Sequence, residues 1–202
     1  SVQSSLIDIT NGNMNADNET LQFVEQLKEE VSGKGNFVIG HSDVDLMIYD
    51  SEGNRIVRKQ ETNIGDFCAD ALRSFTDADI AMVNGGGIRT NIKRGEILFN
   101  DLYNVMPFGD MIATGTLDGE QLLDVLEFAV SALPAEAGTF MQVSGLRFTV
   151  DPDIPSPAMK DTETGMYSHV GEGERRVSHV EILDKQSGEY KAVELSRQYT
   201  IA

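Results

Sequence analysis

The residues best suited to chemistry lie in Asn84-Gly85-Gly86-Gly87-Ile88-Arg89, directly after a short apolar run from Ile80 to Val83. Consecutive glycines let backbone N–H groups approach a ligand and adopt positive φ. After a buried strand, such a loop can form an anion-binding nest. Arg89 ends it with a guanidinium able to fork onto a phosphate or carboxylate. The loop is not a P-loop, because no Gly-Lys-Ser/Thr follows. Nor is it a dinucleotide fingerprint, because Thr90 stands where the last glycine is needed. A tight turn with a surface arginine is the competing reading. A second segment, Pro107-Phe108-Gly109-Asp110, is a proline-fixed turn that can present Phe108 outward to stack on a planar ring; an ordinary core phenylalanine is the alternative. Arg58 precedes Glu61-Thr62-Asn63 and by itself reads as a surface cation. The sequence offers no nucleophile constellation: it lacks Gly-x-Ser-x-Gly, Cys68 falls mid-helix among apolar residues and reads as core, and His41 reads as a structural loop residue. One cysteine and three scattered histidines (His41, His169, His179) make a poor zinc site.

The elements that must position these residues follow from periodicity and caps. Residues 1–16 read as an irregular lead-in. Asp17 or Asn18 caps a helix to about Val31 with Leu21, Val24, Leu27 and Val31 on one face, stopped by Gly33 and Gly35. That helix either packs on the domain or connects it to something upstream. Short strands are expected at Phe37–Ile39 and Val44–Tyr49, with a turn at Ser51–Asn54. Asn63 is expected to cap a helix over 64–74 with Phe67, Ala71 and Leu72 inward. Ile80–Val83 reads as a buried strand, 101–105 as a short helix and Met111–Leu117 as a strand. Asp118 caps the strongest helix, which Pro134 ends. Val143–Val150 reads as a strand. Residues 151–174, with Pro152, Pro155 and Pro157, read as a surface excursion. Its acids Asp151, Asp153, Asp161 and Glu163 lack the spacing of a calcium loop. A hairpin over 177–193 and a final strand at Gln198–Ile201 complete a chain that mixes helices and strands without strict alternation. The fold class is therefore α+β with a mixed sheet and packed helices.

Composition bounds the partners. A 202-residue chain that is 40% apolar and 24% charged suits one globular domain plus an appendage. The net charge of −17, from 33 acidic and 16 basic residues, disfavours nucleic acid, which needs clustered Lys and Arg. No apolar run reaches the roughly 18 residues of a membrane span. Ser1–Asn18 is polar and lacks the basic start of a signal peptide. A phosphorylated ligand would need a few arginines to create a positive site against this background.

Five motifs in order then carry a specific resemblance: Arg58-x-x-Glu61-Thr62-Asn63-x-Gly65, Ala78-Asp79-Ile80-Ala81-x-x-Asn84-Gly85-Gly86-Gly87-Ile88-Arg89, Gly95-Glu96-Ile97, Pro107-Phe108-Gly109 and Gln142-Val143-Ser144-Gly145. Over about residues 17–202 the chain resembles the C-terminal domain of the 5'-nucleotidase, UDP-sugar hydrolase and 2',3'-cyclic-nucleotide phosphodiesterase family. The resemblance implies residues 1–34 as lead-in and interdomain connector helix, and 35–202 as the substrate-binding domain. It implies a metal-dependent phosphohydrolase in which this part grips a nucleotide or nucleoside and swings on the connector. An N-terminal metallophosphoesterase domain would supply two divalent metal ions that activate water. Its Asp-x-His and Gly-Asn-His signatures are not in this sequence, so neither cofactor nor catalytic residue is expected in this part. Arg58 and Arg89 match arginines that contact substrate phosphates. Phe108 matches one of two rings that sandwich the base. Asn84, with Gly85, Gly86 and Gly87, lies in a loop that contacts the base in some members, and Gly138 falls near a glycine lining the pocket. The family setting implies an extracellular, cell-wall or periplasmic location.

Three departures stand out. Asn54 occupies a position where some members carry a further arginine. Asp110 follows Phe108-Gly109 where asparagine is common; a carboxylate only accepts hydrogen bonds, which favours a base edge that donates, such as guanine. After Ala202, members continue into a segment with the second stacking ring and a ribose-binding aspartate. Weak nucleoside binding and no phosphatase activity are therefore expected of these 202 residues. A stand-alone nucleotide- or nucleoside-binding module is the runner-up reading. A surface interaction domain with a lost pocket is the third, opposed by intact Arg58, Arg89 and Phe108.

Overall fold

The computed structural model describes residues 17–202, with the side chains of 31–34 left outside the description; the expected lead-in over 1–16 also lies outside it. Helix α1 spans Asn18–Gly35. Asp17 caps it by accepting from the Thr20 amide at 2.8 Å. Its apolar stripe of Leu21, Val24 and Leu27 is exposed. The chain then anchors at its entry to the domain, where Phe37 stacks on Phe99 at 5.3 Å and Asn100 donates to Asn36.

Strand β1 (Val38–Ser42) follows, and helix α2 spans Asn63–Thr76. The stretch expected as a strand at 44–49 holds only isolated bridges, from Leu46 to Ile92 and from Tyr49 to Arg55. Thr62, not Asn63, caps α2: its hydroxyl accepts from the Gly65 amide at 3.2 Å. Asn63 instead turns back, accepting from Met47 N and donating to Asp45 O. The buried face of α2 is Ile64, Gly65, Cys68 and Ala69, with Leu72 half-buried beside it, whereas Phe67 and Ala71 are exposed.

Strands β2 (Ala81–Asn84) and β3 (Gly95–Leu98) lead to α3 (Phe99–Val105) and β4 (Gly115–Asp118). Residues 111–114, expected in that last strand, stay outside it. Helix α4 (Gly119–Ala129) opens with a capping box: the Gln121 amide donates to Asp118, and the Asp118 amide donates to Gln121. Strands β5 (Met141–Ser144) and β6 (Leu146–Val150) are one expected strand broken at Gly145, whose φ is 79°. The excursion at 151–174 contains a hairpin of its own, β7 (Ala158–Lys160) with β8 (Tyr167–Val170). Its acids serve its turns: Asp151 accepts from the Asp153 amide, and Asp161 from the Glu163 and Thr164 amides. Strands β9 (Val177–Leu183), β10 (Tyr190–Ala192) and β11 (Gln198–Ile201) end the chain.

The expected mixed sheet is present. Strand β4 pairs antiparallel with β11, and β2 pairs antiparallel with β5. A parallel step joins the two pairs: Ile80 N donates to Thr200 O, Ala202 N to Ile80 O and Met82 N to Ala202 O. The order is thus β4-β11-β2-β5. A three-stranded antiparallel sheet, β10-β9-β6, continues from β5 through Gly145. Two cores form. Ile64, Cys68, Val83, Ile88, Ile92 and Val105 pack in one; Ile80, Leu122, Leu126, Leu146, Ile182 and Tyr199 pack in the other. The segment leading through β2 serves both, Val83 facing the first and Ile80 the second, which fixes the loop at its end between two packed bodies.

Two buried charges shape the approach to that loop. Glu127 is 0% exposed and accepts from the Arg176 and Val177 amides. The Arg176 guanidinium donates to the carbonyls of Val130, Ser131 and Leu133. The carbonyls of the turn that follows α4 are thereby satisfied, and the chain continues into residues 134–140, which border the glycine loop.

Candidate ligand site at the glycine loop

The β2–β5 ladder does not stop at its last pair, Asn84 with Met141. Gly85 N donates to Phe140 O at 2.7 Å and Gly86 N to Gly138 O at 3.1 Å, while Gly87 N turns back to Asn84 O at 2.9 Å. Asn84 Nδ2 reaches the same Gly138 carbonyl at 3.4 Å. All three glycine amides are thus taken up by protein carbonyls, and none of the three residues has a positive φ. The anion nest that the triple glycine suggests does not form. The glycines serve close approach instead. A Cβ on Gly85 would lie 2.1 Å from the Val57 carbonyl oxygen, and one on Gly86 would lie 2.9 Å from the Gly138 Cα.

Two cationic side chains lie beside the loop. Arg89 donates to Gly86 O at 3.1 Å, and its Cζ lies 5.7 Å from the centre of the Phe108 ring. Arg58 lies next to the 137–140 segment that borders the loop, its own carbonyl accepting from Ala137 N at 3.1 Å. The Arg58 Nε is buried with no hydrogen-bond partner. Burial, then the neighbouring Arg55 and Arg89, push the Arg58 pKa down, offset in part by Glu136. Glu136 is committed to Arg55, accepting from its Nε at 3.0 Å. Among the described residues Arg58 and Arg89 are left without a carboxylate partner. Two cations that repel each other, one incompletely solvated, make a site that an anion would stabilise.

Phe108 is 60% exposed, so it is not a core residue. Gly109 turns the chain at φ 66°, and Asp110 beyond it is exposed, with no hydrogen bond or ion pair among the described residues. The structure therefore gathers Arg58, Asn84, Gly85, Gly86, Gly87, Arg89, Phe108 and Gly138 around one loop, while no contact ties Asp110 to it. A separate groove of about 960 Å³ is lined by residues including Lys59, Asp66, Arg73, Ser144 and Tyr190. It contains none of the three candidate ligand side chains Arg58, Arg89 and Phe108. Its size reflects an open cleft between α2 and the sheet. Among the described residues no three His, Cys, Asp or Glu side chains come together as a metal site requires. The metal pair that the resemblance implies has no holder among them.

Residues 38–202 match the family described as 5'-nucleotidase, C-terminal domain. The chain belongs to this family. The trifunctional nucleotide phosphoesterase protein YfkN of Bacillus subtilis is 38% identical over 136 residues, covering 65% of this chain and 9% of that protein. The 5'-nucleotidase of Vibrio parahaemolyticus is 33% identical over 138 residues, covering 68% of this chain and 24% of that protein. The crystal structure of a 5'-nucleotidase precursor from Thermus thermophilus superposes with a TM-score of 0.70 at 30% identity, over 91% of this chain and 32% of that one. The chain thus spans a quarter or less of the length of these curated relatives. In this 5'-nucleotidase C-terminal domain, sequence reasoning missed the pairing of Glu136 with Arg55, which decides which arginines stay free. It also assigned no role to Gln142, although the Gln142-Val143-Ser144-Gly145 motif marked the residue. No helix among the described residues is long and apolar enough to cross a membrane.

Proposed function

We propose that this domain binds the substrate of a metal-dependent nucleotide phosphohydrolase, with Arg58 and Arg89 on the phosphate-bearing end and Phe108 against the base. The observation that carries the reading is the buried, unpartnered Arg58 Nε beside a second unpaired arginine in a chain of net charge −17. Leaving the Arg58 Nε buried and unpaired beside a second cation and an exposed aromatic ring is costly unless a ligand with an anionic end and a flat apolar end completes the site. A nucleotide is such a ligand. The guanidinium forks bind and orient phosphate oxygens. The exposed Phe108 ring supplies a stacking face. Asn84 is the polar group at the loop, and Gly85, Gly86, Gly87 and Gly138 keep backbone close beneath the ligand. Asp110 is the acceptor on the base side, selecting a donating edge such as guanine N1–H and N2–H.

Catalysis in this reading belongs to a companion metallophosphoesterase domain of the same protein, whose two metals would activate water and stabilise the phosphoryl transition state. This domain contributes the positioning of the substrate, with residues 1–34 as the connector and a location outside the cytoplasm. Titration of guanosine and guanosine 5'-monophosphate into the chain, monitored by NMR, tests the site. Charge-assisted bonds contribute about 1.5–3 kcal/mol each. Arg58→Met and Arg89→Met should therefore each weaken the monophosphate by roughly 10- to 150-fold and leave the nucleoside nearly unchanged. Equal binding of both ligands by the wild type, or monophosphate binding indifferent to both substitutions, overturns the proposal.

A further inference from the structure

Gln142 lies on β5 with 1% of its surface exposed. Its side-chain amide is saturated by one short segment of the chain. Nε2 donates to Val57 O at 2.9 Å and to Gln60 O at 2.7 Å. Oε1 accepts from Thr62 N at 3.0 Å and from Thr62 Oγ1 at 3.4 Å. A glutamine amide offers two donors and two acceptor positions, and all four are used. The three partners bracket Arg58: one is the residue just before it, and two lie just after. In the ladder Gln142 faces Val83, the residue before Asn84. Gly65 is pressed against the same amide, where a Cβ would meet Oε1 at 2.0 Å. The Val57 carbonyl that Gln142 holds is also the one against which Gly85 packs.

We infer that Gln142 is a positioning residue for the phosphate side of the site, fixing the backbone that presents Arg58 and registering it against the glycine loop. This deepens the proposed function, and rests on its reading of Arg58 as the phosphate contact. No other side chain fits the task as well. Glutamate would aim acceptors at two carbonyl oxygens. Asparagine has the same groups on a stem one carbon shorter. Methionine keeps the length and makes none of the bonds. Buried polar groups with every bond made fix one geometry, and lose that geometry when one partner is removed. An arginine misplaced by about 1 Å loses much of its effect on a bound group.

The experiment uses the 202-residue chain with guanosine and guanosine 5'-monophosphate as probes, and reads the ratio of their affinities in wild type, Gln142→Met, Arg58→Met and the double variant. A positioning role predicts that Gln142→Met lowers the ratio about tenfold or more, that guanosine binding changes less than about twofold, and that the double variant is no worse than Arg58→Met alone, as expected for coupled residues. A merely structural role lowers thermal stability and both affinities together and leaves the ratio unchanged, which overturns the inference. Additive effects in the double variant overturn it as well. An unchanged ratio in Arg58→Met overturns the site reading itself and is distinguishable from both. Should Gln142→Met not fold, hydrogen exchange on the wild-type chain decides. The Thr62 amide should be protected before any ligand is added, and exchange at the rate of an open loop refutes the inference.

Discussion

Replacing Phe108 by alanine separates the base side of the proposed site from its phosphate side and from the fold. The ring is 60% exposed, and its recorded partner is the Arg89 guanidinium at 5.7 Å. An exposed cation–π contact of this kind contributes about 0.5–1 kcal/mol, which in a chain this size shifts the melting temperature by only a few degrees, at roughly 2–4 °C per kcal/mol. Arg89 also keeps its bond to Gly86 O at 3.1 Å, so its guanidinium stays in place. Stacking of a base on an aromatic ring is worth about 1–3 kcal/mol. Phe108→Ala should therefore weaken a nucleoside and its 5'-monophosphate by the same factor, roughly 5- to 150-fold, and leave binding of inorganic phosphate unchanged. NMR titration with the three ligands, beside a thermal melt, measures all of these. A loss confined to the monophosphate, or no loss at all, refutes the assignment of the ring to the base. A fall in melting temperature of about ten degrees or more, well beyond that few-degree shift, would show that the ring belongs to the fold.

Three further outcomes are expected. Gly86→Ala places a Cβ 2.9 Å from the Gly138 Cα and 3.0 Å from its carbonyl oxygen, both backbone atoms. Urea unfolding should show a loss of about 1–3 kcal/mol, in the range of overpacking, accompanied by weaker monophosphate binding as the Gly86 carbonyl under Arg89 shifts. Asp66 has its carboxyl pushed up to about 6, first by burial and then by Glu61 and Asp70. Its folded pKa exceeds its unfolded one, so its favourable contribution is complete below about pH 3.8 and is lost as pH rises through 6. Asp66→Asn should therefore gain on the wild type between about pH 4 and 7 in thermal melts, and a gap that stays constant across that window refutes the assignment. Asp110→Asn should erase a preference for guanosine over inosine, and an unchanged base ranking in titrations would sink the donating-edge reading.

What the sequence disclosed depended on how local the cause was. The Asp118 cap, the core strand leading into the glycine loop and the hairpin of β9 and β10 are written in contiguous residues, and all were legible; the mixed sheet was legible only as a class, from helices and strands that do not strictly alternate, while its partners lie up to about 120 residues apart. Thr62 and Asn63 are both competent caps. Thr62 takes the role because Asn63 is drawn off to Met47 and Asp45, far upstream. A helical period alone could not choose the stripe of Ile64, Cys68 and Ala69 over that of Phe67 and Ala71, because the choice is made by Val57 and Val83 across the core. The glycines were visible but their reason was not. Positive φ is a local requirement, whereas the Val57 carbonyl and Gly138 are distant in sequence. Glu127 and Arg176 were missed because charged residues belong by default on the surface. They are buried only because each satisfies backbone groups of the other's neighbourhood. Gln142 shows the same limit: its partners lie 80 to 85 residues upstream.

The overall charge and the local site pull in opposite directions, and their ranges decide between them. A chain of net charge −17 repels an anionic ligand at a distance. That repulsion fades beyond about 8 Å at physiological ionic strength. In the proposed site Arg58 and Arg89 would meet a phosphate at hydrogen-bonding range, well inside that screening length. Long-range steering therefore cannot help this site, and its affinity has to come from close geometry. Close geometry is what the backbone arrangement supplies. Glu136 takes Arg55 and leaves the other two arginines free. Gly86 O holds Arg89, and Gln142 holds the residues on either side of Arg58. A site built on steering would tolerate a displaced arginine. One built against an adverse field does not, which is why a buried glutamine with no reach to the ligand should matter to the phosphate and not to the base.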